Sequence, residues 1–179
     1  MSEPNAIPRD IAALLQPDDY GLAFAPRYNR NRMIDGDPAR REEVHDADYF
    51  RGSAERFCEF HGESRYTVHV IDNGRNPQTQ EGDANSNAAR RQQILDILDD
   101  YDGPMLRVVG IFCHGYRDGI QLGFSIRNAN ERGATDQLLD LLAQKCRPDL
   151  IVPIYACSTG SSGRNEEGGE GGFADYIRD

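Results

Sequence analysis

Apolar residues recur along this chain in two rhythms. Residues 105–112 and 150–154 are almost continuous apolar runs, and 66–71 is a β-branched run closed by Asp72-Asn73-Gly74. Such runs predict buried strands, the last ending in a turn. Between them the period lengthens. Ala47, Phe50, Ala54, Phe57, Cys58 and Phe60 fall near helical spacing within 46–61, and Ile94, Leu95, Ile97 and Leu98 do so within 88–100. Leu138, Leu139, Leu141 and Leu142 mark a third helix over 135–146, stopped by Pro148. Strands alternating with helices predict an α/β fold, a mostly parallel sheet flanked by helices. Strands near 66–71, 105–113 and 149–156 are expected to be spatial neighbours, with a bulge accommodating Pro153.

The remaining segments carry less pattern. Residues 1–45 read as an irregular N-terminal segment with one short helix over 11–16 and a charged surface stretch over 27–43. The core then spans 46–160. Residues 75–87 form a polar loop, and 120–126 a short hairpin pairing with itself or a neighbour. The Ser/Gly/Glu-rich run 161–172 is expected to be a flexible loop, and 173–179 the start of a further helix.

Composition narrows the function. A single domain of 179 residues buries roughly 70% of its unfolded surface without staples. A net charge of -10 and a pI near 4.8 exclude a nucleic-acid-binding protein, which needs a basic face for phosphates. No apolar run approaches the ~20 residues that span a bilayer, and the polar first ten residues are no secretory signal. The cysteines at 58, 113, 146 and 157 form no paired pattern, so free thiols in a reducing cytoplasm are expected. Cysteine and histidine spacings fit no zinc site; neither metal nor cofactor is expected.

Two motifs carry chemistry. The first apolar run ends in Ile111-Phe112-Cys113-His114-Gly115, the second in Ile154-Tyr155-Ala156-Cys157-Ser158-Thr159-Gly160. Ligands of open α/β sheets bind beyond the carboxyl ends of the strands, so His114 and Cys157 would share one crevice. A thiol at a strand end followed by small residues is exposed, and an imidazole supplies its proton acceptor. The N–H groups of Gly115 and Cys157 are the candidate oxyanion donors. No carboxylate is identified to orient His114, so the pair is a dyad. Singly, neither residue would stand out, because a lone cysteine is more often core than nucleophile. Cys58, Cys113 and Cys146 are assigned to the core on that ground, and His61-Gly62 is dismissed because it follows a helical stretch.

These motifs resemble those of the caspase-like superfamily of cysteine peptidases, which includes metacaspases, gingipains, legumain and separase. In that family one hydrophobic strand ends in His-Gly and a later one in Ala-Cys or a similar pair. Residues 108–115 match the first block, 150–157 the second, and 118–124 the short hairpin that caspases place after His-Gly. The resemblance covers about residues 65–160 and implies a cysteine endopeptidase with His114 and Cys157 as its dyad. Tyr155 stands where caspases usually have glutamine and is counted with the substrate-binding residues, as are Arg75 and Asp83. The family's later strands are missing from this chain, which implies a further C-terminal segment or a second chain completing the sheet. The region after Cys157 would then be a processing loop.

Protein or peptide is the expected substrate, with no nucleic-acid or membrane partner. Asp72, Glu81 and Asp83 outnumber Arg75 in the loop after the 66–71 strand, which favours cleavage after Arg or Lys. The same resemblance admits an alternative, a catalytically inactive binding or scaffolding module, because fold alone does not establish chemistry. An unrelated α/β hydrolase or nucleotide-binding domain is disfavoured: GxSxG, Walker and GxGxxG motifs are absent.

Overall fold

The computed structural model of the protein describes residues 14–29, 45–46, 48–61, 65–72, 87–156 and 173–178. A sheet of parallel strands runs through it, with strands β1 (Gly21–Pro26), β2 (Tyr66–Ile71), β3 (Leu106–Phe112), β6 (Cys146–Ile151) and β7 (Ile154–Tyr155). The lateral order is β2-β1-β3-β6, and β7 continues beside β3 beyond β6. Every pairing is parallel. Helix α1 (Asp48–His61) connects β1 to β2, α2 (Asn87–Asp99) lies between β2 and β3, and α3 (Ala129–Lys145) leads to β6. The α/β class and mostly parallel sheet expected from the sequence are what the protein has.

The centre of the sheet corrects the expectation of an irregular segment over 1–45. Gly21–Pro26 is a wholly buried strand between β2 and β3, so the 66–71 and 105–112 strands are not neighbours. Of the short helix expected over 11–16, the described residues 14–16 are turn and irregular chain. Two further boundaries move. Helix α3 begins six residues before the expected Thr135, because Asn128 caps it by accepting from the Glu131 N–H at 3.0 Å. Cys146 is not helical: it caps α3 in an extended conformation and opens β6. Val152 and Pro153 separate β6 from β7, but the offset with β3 is the same on both sides, Val108 with Ile151 and Ile111 with Ile154. The bulge expected at Pro153 is therefore not there; the register shift falls earlier, between the Leu106 and Val108 pairs.

Side chains alternate between two core layers, as strand geometry requires. Leu22 and Phe24 of β1 join Val109, Ile111 and Cys113 against α2 and α3. Ala23 and Ala25 face the other way with Val108 and Phe112, where Phe50, Ala54 and Phe57 of α1 cover them. Small residues on that side give α1 a close seat. At Gly110 an added Cβ would come within 2.9 Å of the Phe112 ring, so the glycine makes room for an aromatic layer.

The order 2-1-3-6 has a functional consequence. From β1 the chain steps outward to β2 over one face, then crosses back to β3 and steps the opposite way over the other face. The reversal falls between β1 and β3, and the crevice at their carboxyl ends is where ligands bind in such sheets. Short strands β4 (Gly115–Tyr116) and β5 (Gly119–Ile120) form an antiparallel hairpin directly after β3. The hairpin expected near 120–126 is thus built by pairing with Gly115 and Tyr116, and Ser125 adds a bridge to Gly119. Helix α4 (Phe173–Arg178) bears out the helix expected over 173–179. The flexible loop expected over 161–172, and nearly all of the 75–87 loop, lie outside the described residues.

Candidate active site

His114 stands two residues past the end of β3, at the switch point. Its side chain lies on the α1 side of the sheet, where the Phe50 ring meets the imidazole edge to face at 4.8 Å between centroids. Cys113 points the opposite way and is fully buried in the other layer. The strand alternation that separates these neighbours makes His114 available to the crevice and withdraws Cys113 from it. Burial lowers the His114 pKa below the usual imidazole value, which favours the neutral, proton-accepting form at pH 7. Burial has the reverse effect on the thiols: Cys58 and Cys113 are pushed up to about 12, and Cys146 to about 11. All three are free and buried, and unionised at neutral pH.

The hairpin fixes the backbone around His114. The Gln121 N–H donates to the His114 carbonyl at 2.8 Å, so this pair is a hydrogen-bonded rung. Gly115 and Ile120 are the next pair inward, hence non-bonded, and the ladder turns their main-chain groups outward. Ile120 obeys this parity: its N–H donates to the Phe124 carbonyl at 2.9 Å and its carbonyl accepts from Gly123 N–H at 3.0 Å. The same parity points the Gly115 N–H away from β5. Gly123, at φ +100°, makes the turn that lets the chain double back. Phe173 N–H donates to the Arg117 carbonyl at the hairpin tip at 2.8 Å, anchoring α4 beside it.

On the second motif, β7 pairs with β3 in the register Ile111 with Ile154 and Phe112 with Tyr155. The sequence offset between these partners is the one that separates His114 from Cys157. Cys157 itself, with Arg75 and Asp83, lies outside the described residues. Tyr155 stacks on Phe112 at 4.4 Å and meets Phe57 at 6.5 Å; its hydroxyl is buried without a hydrogen-bond partner among the described residues. Its ring therefore belongs to the aromatic layer beneath α1. Gln121 is the residue that sequence reasoning missed. Only its place opposite His114 reveals it, and no motif signals it.

Among the described residues no three histidine, cysteine, aspartate or glutamate side chains cluster as metal ligands, and no helix is long and apolar enough to cross a membrane. Compared with known protein families and with curated proteins, the chain matches none.

Proposed function

We propose that the protein is a cysteine endopeptidase of the caspase-like type, with Cys157 as nucleophile and His114 as general acid and base. The observation that carries this reading is the register of β3 with β7, whose offset is shared by His114 and Cys157. Were that register to continue past Tyr155, it would set Cys157 level with His114 across strands ~4.8 Å apart. His114 accepts the thiol proton, and the thiolate attacks the scissile carbonyl carbon. The N–H groups of Gly115 and Cys157 hold the resulting oxyanion. Collapse breaks the C–N bond, with the His114 proton passing to the leaving amine. Water, deprotonated by His114, then displaces the thiolate from the thioester and releases the new carboxylate.

The substrate class follows from charge. An acidic protein draws basic segments toward its crevice, and the carboxylates of the loop after β2, Asp83 among them, outnumber Arg75. We infer cleavage after Arg or Lys, in a reducing compartment such as the cytoplasm. A further segment or second chain would add at β6, the outer strand on the Cys157 side among the described residues.

An acyloxymethyl-ketone probe at neutral pH tests the dyad, with fluorogenic peptides carrying Arg, Lys or Asp at the cut site. The expected result is fast, selective modification of Cys157 and hydrolysis after Arg or Lys. Slow, uniform labelling without hydrolysis would leave the binding or scaffolding module. Hydrolysis after Asp alone would move recognition to a basic pocket containing Arg75.

A further inference from the structure

The His114 rung is completed in an unusual way. A regular antiparallel rung exchanges two main-chain hydrogen bonds. Here the Gln121 N–H reaches the His114 carbonyl at 2.8 Å, but the His114 N–H donates to the Gln121 side-chain Oε1 at 3.2 Å. The chain turns at 121–123 to make its return, and the carboxamide takes the place of the main-chain carbonyl. Gln121 is only 6% exposed, and its Nε2 is buried with no hydrogen-bond partner among the described residues. A buried, unsatisfied amide donor is costly, and an apolar side chain of similar size would avoid that cost. What the glutamine supplies is its acceptor oxygen.

We propose that Gln121 is a positioning residue for the dyad, fixing the His114 backbone and, through it, the direction of the Gly115 N–H. The proposal rests on the peptidase reading above. Both halves of the site hang on this one rung: the imidazole branches from its Cα, and the oxyanion donor is the next N–H along. Loosening the rung misplaces both relative to a reacting carbonyl without removing either, so the loss falls on the chemical step rather than on substrate binding.

The test compares Gln121→Leu, which lacks the acceptor, with Gln121→Glu, whose carboxyl oxygen retains one. Peptide hydrolysis is followed together with amide hydrogen exchange at His114. The expected result for Gln121→Leu is a kcat reduced about tenfold or more with KM within about twofold, and faster exchange at His114. Gln121→Glu restores kcat to within about threefold of the parent and recovers the protection. A folded Gln121→Leu protein with unchanged kcat overturns the proposal, as does a folded Gln121→Glu protein that fails to recover. Should Gln121→Leu not fold, Gln121→Met takes its place under the same criteria. If the parent hydrolyses no peptide and Cys157 labels no faster than the other thiols, the peptidase reading fails by itself. The rung is then judged on exchange alone: unchanged His114 protection in Gln121→Leu overturns it.

Discussion

Phe112 and Tyr155 face each other across β3 and β7 with their rings 4.4 Å apart and only 11° from parallel. This stack ties the last rung of β3 to the segment that precedes Cys157 in the chain, and it lies in the aromatic layer beneath α1. The Tyr155 hydroxyl adds nothing to the stack, being buried without a partner among the described residues. Tyr155→Phe is therefore expected to raise stability by about 1 kcal/mol, because it deletes an unsatisfied polar group and keeps the ring. Tyr155→Ala should cost about 2 kcal/mol, below the usual range for aromatic truncation because the ring is only half buried. Denaturant unfolding measures both. A loss of stability in Tyr155→Phe would show that the hydroxyl has found a partner.

The cysteines should separate by reactivity. Cys58, Cys113 and Cys146 are buried, with thiols pushed far above neutrality by desolvation, whereas an activated nucleophile must be ionised and accessible. Iodoacetamide at pH 7 is expected to modify Cys157 first and the other three only on unfolding. Cys157→Ala should abolish hydrolysis with the fold intact. Cys113→Ala should keep activity while losing about 1–2 kcal/mol of stability to the small cavity it leaves. Peptide mapping after timed alkylation decides, and early labelling of Cys113 would contradict the two-sided arrangement of residues 113 and 114.

What the sequence disclosed and what it hid have physical causes. β3 and β2 were legible because their β-branched, apolar runs carry strand propensity of their own. β1 was not. Gly21-Leu22-Ala23-Phe24-Ala25-Pro26 has no β-branched residue, and it is a strand because β2 and β3 pair with it on both sides. Missing it also hid the switch point. The true start of α3 was signalled by Asn128 and Glu131, a capping spacing overshadowed by the leucine period further along. His114 could be picked out from its strand, but Gln121 could not. Its role depends on a hairpin register that brings a side-chain oxygen to a main-chain N–H.

Stability should weaken on mild acidification. His61, His69 and His114 each have a pKa lowered by burial, so the folded protein resists protonation of all three while the unfolded chain accepts protons at the ordinary imidazole value. Their contribution is complete above about pH 6.5 and is lost as pH falls below it. Urea midpoints between about pH 7.5 and 5.5, above the main carboxylate range, isolate the effect. A midpoint that rises across that interval would refute it.

Gly123 should tolerate no side chain. Its φ of +100° disfavours L-residues, and an added Cβ would lie 2.3 Å from the Asn87 carbonyl oxygen at the start of α2. Arg91 also donates to the Gly123 carbonyl at 2.9 Å, so the turn cannot simply move away. Gly123→Ala is expected to cost about 2 kcal/mol or more from backbone strain and overlap together. Because this turn sets the position of Gln121, kcat should fall with stability, and thermal unfolding beside peptide kinetics would show both changes. A variant as stable as its parent would mean that the turn relaxes freely.

The opposite end of the sheet offers the contrasting case. Asp19, whose side chain is 1% exposed, pairs with Arg147 at 3.0 Å and Arg107 at 3.9 Å, and it accepts from the Gln16 N–H at 2.8 Å. These groups sit just before β1, at the start of β3 and at the start of β6, so one carboxylate joins three strands at their amino ends. Asp149 contacts both arginines as well, at 3.5 and 3.0 Å, but it is half exposed and more strongly screened. Removing the Asp19 carboxylate leaves Arg107, itself largely buried, with that weaker partner alone. Asp19→Ala is expected to cost about 3 kcal/mol, near the lower bound for breaking a buried ion pair because Asp149 remains. Asp19 lies a full strand length from His114, so peptide hydrolysis measured well below the unfolding temperature should keep its KM and kcat. A stability loss under ~1 kcal/mol would place the pair among ordinary surface salt bridges, and a large fall in kcat would reveal coupling along β3 from Arg107 at its start to His114 just past its end.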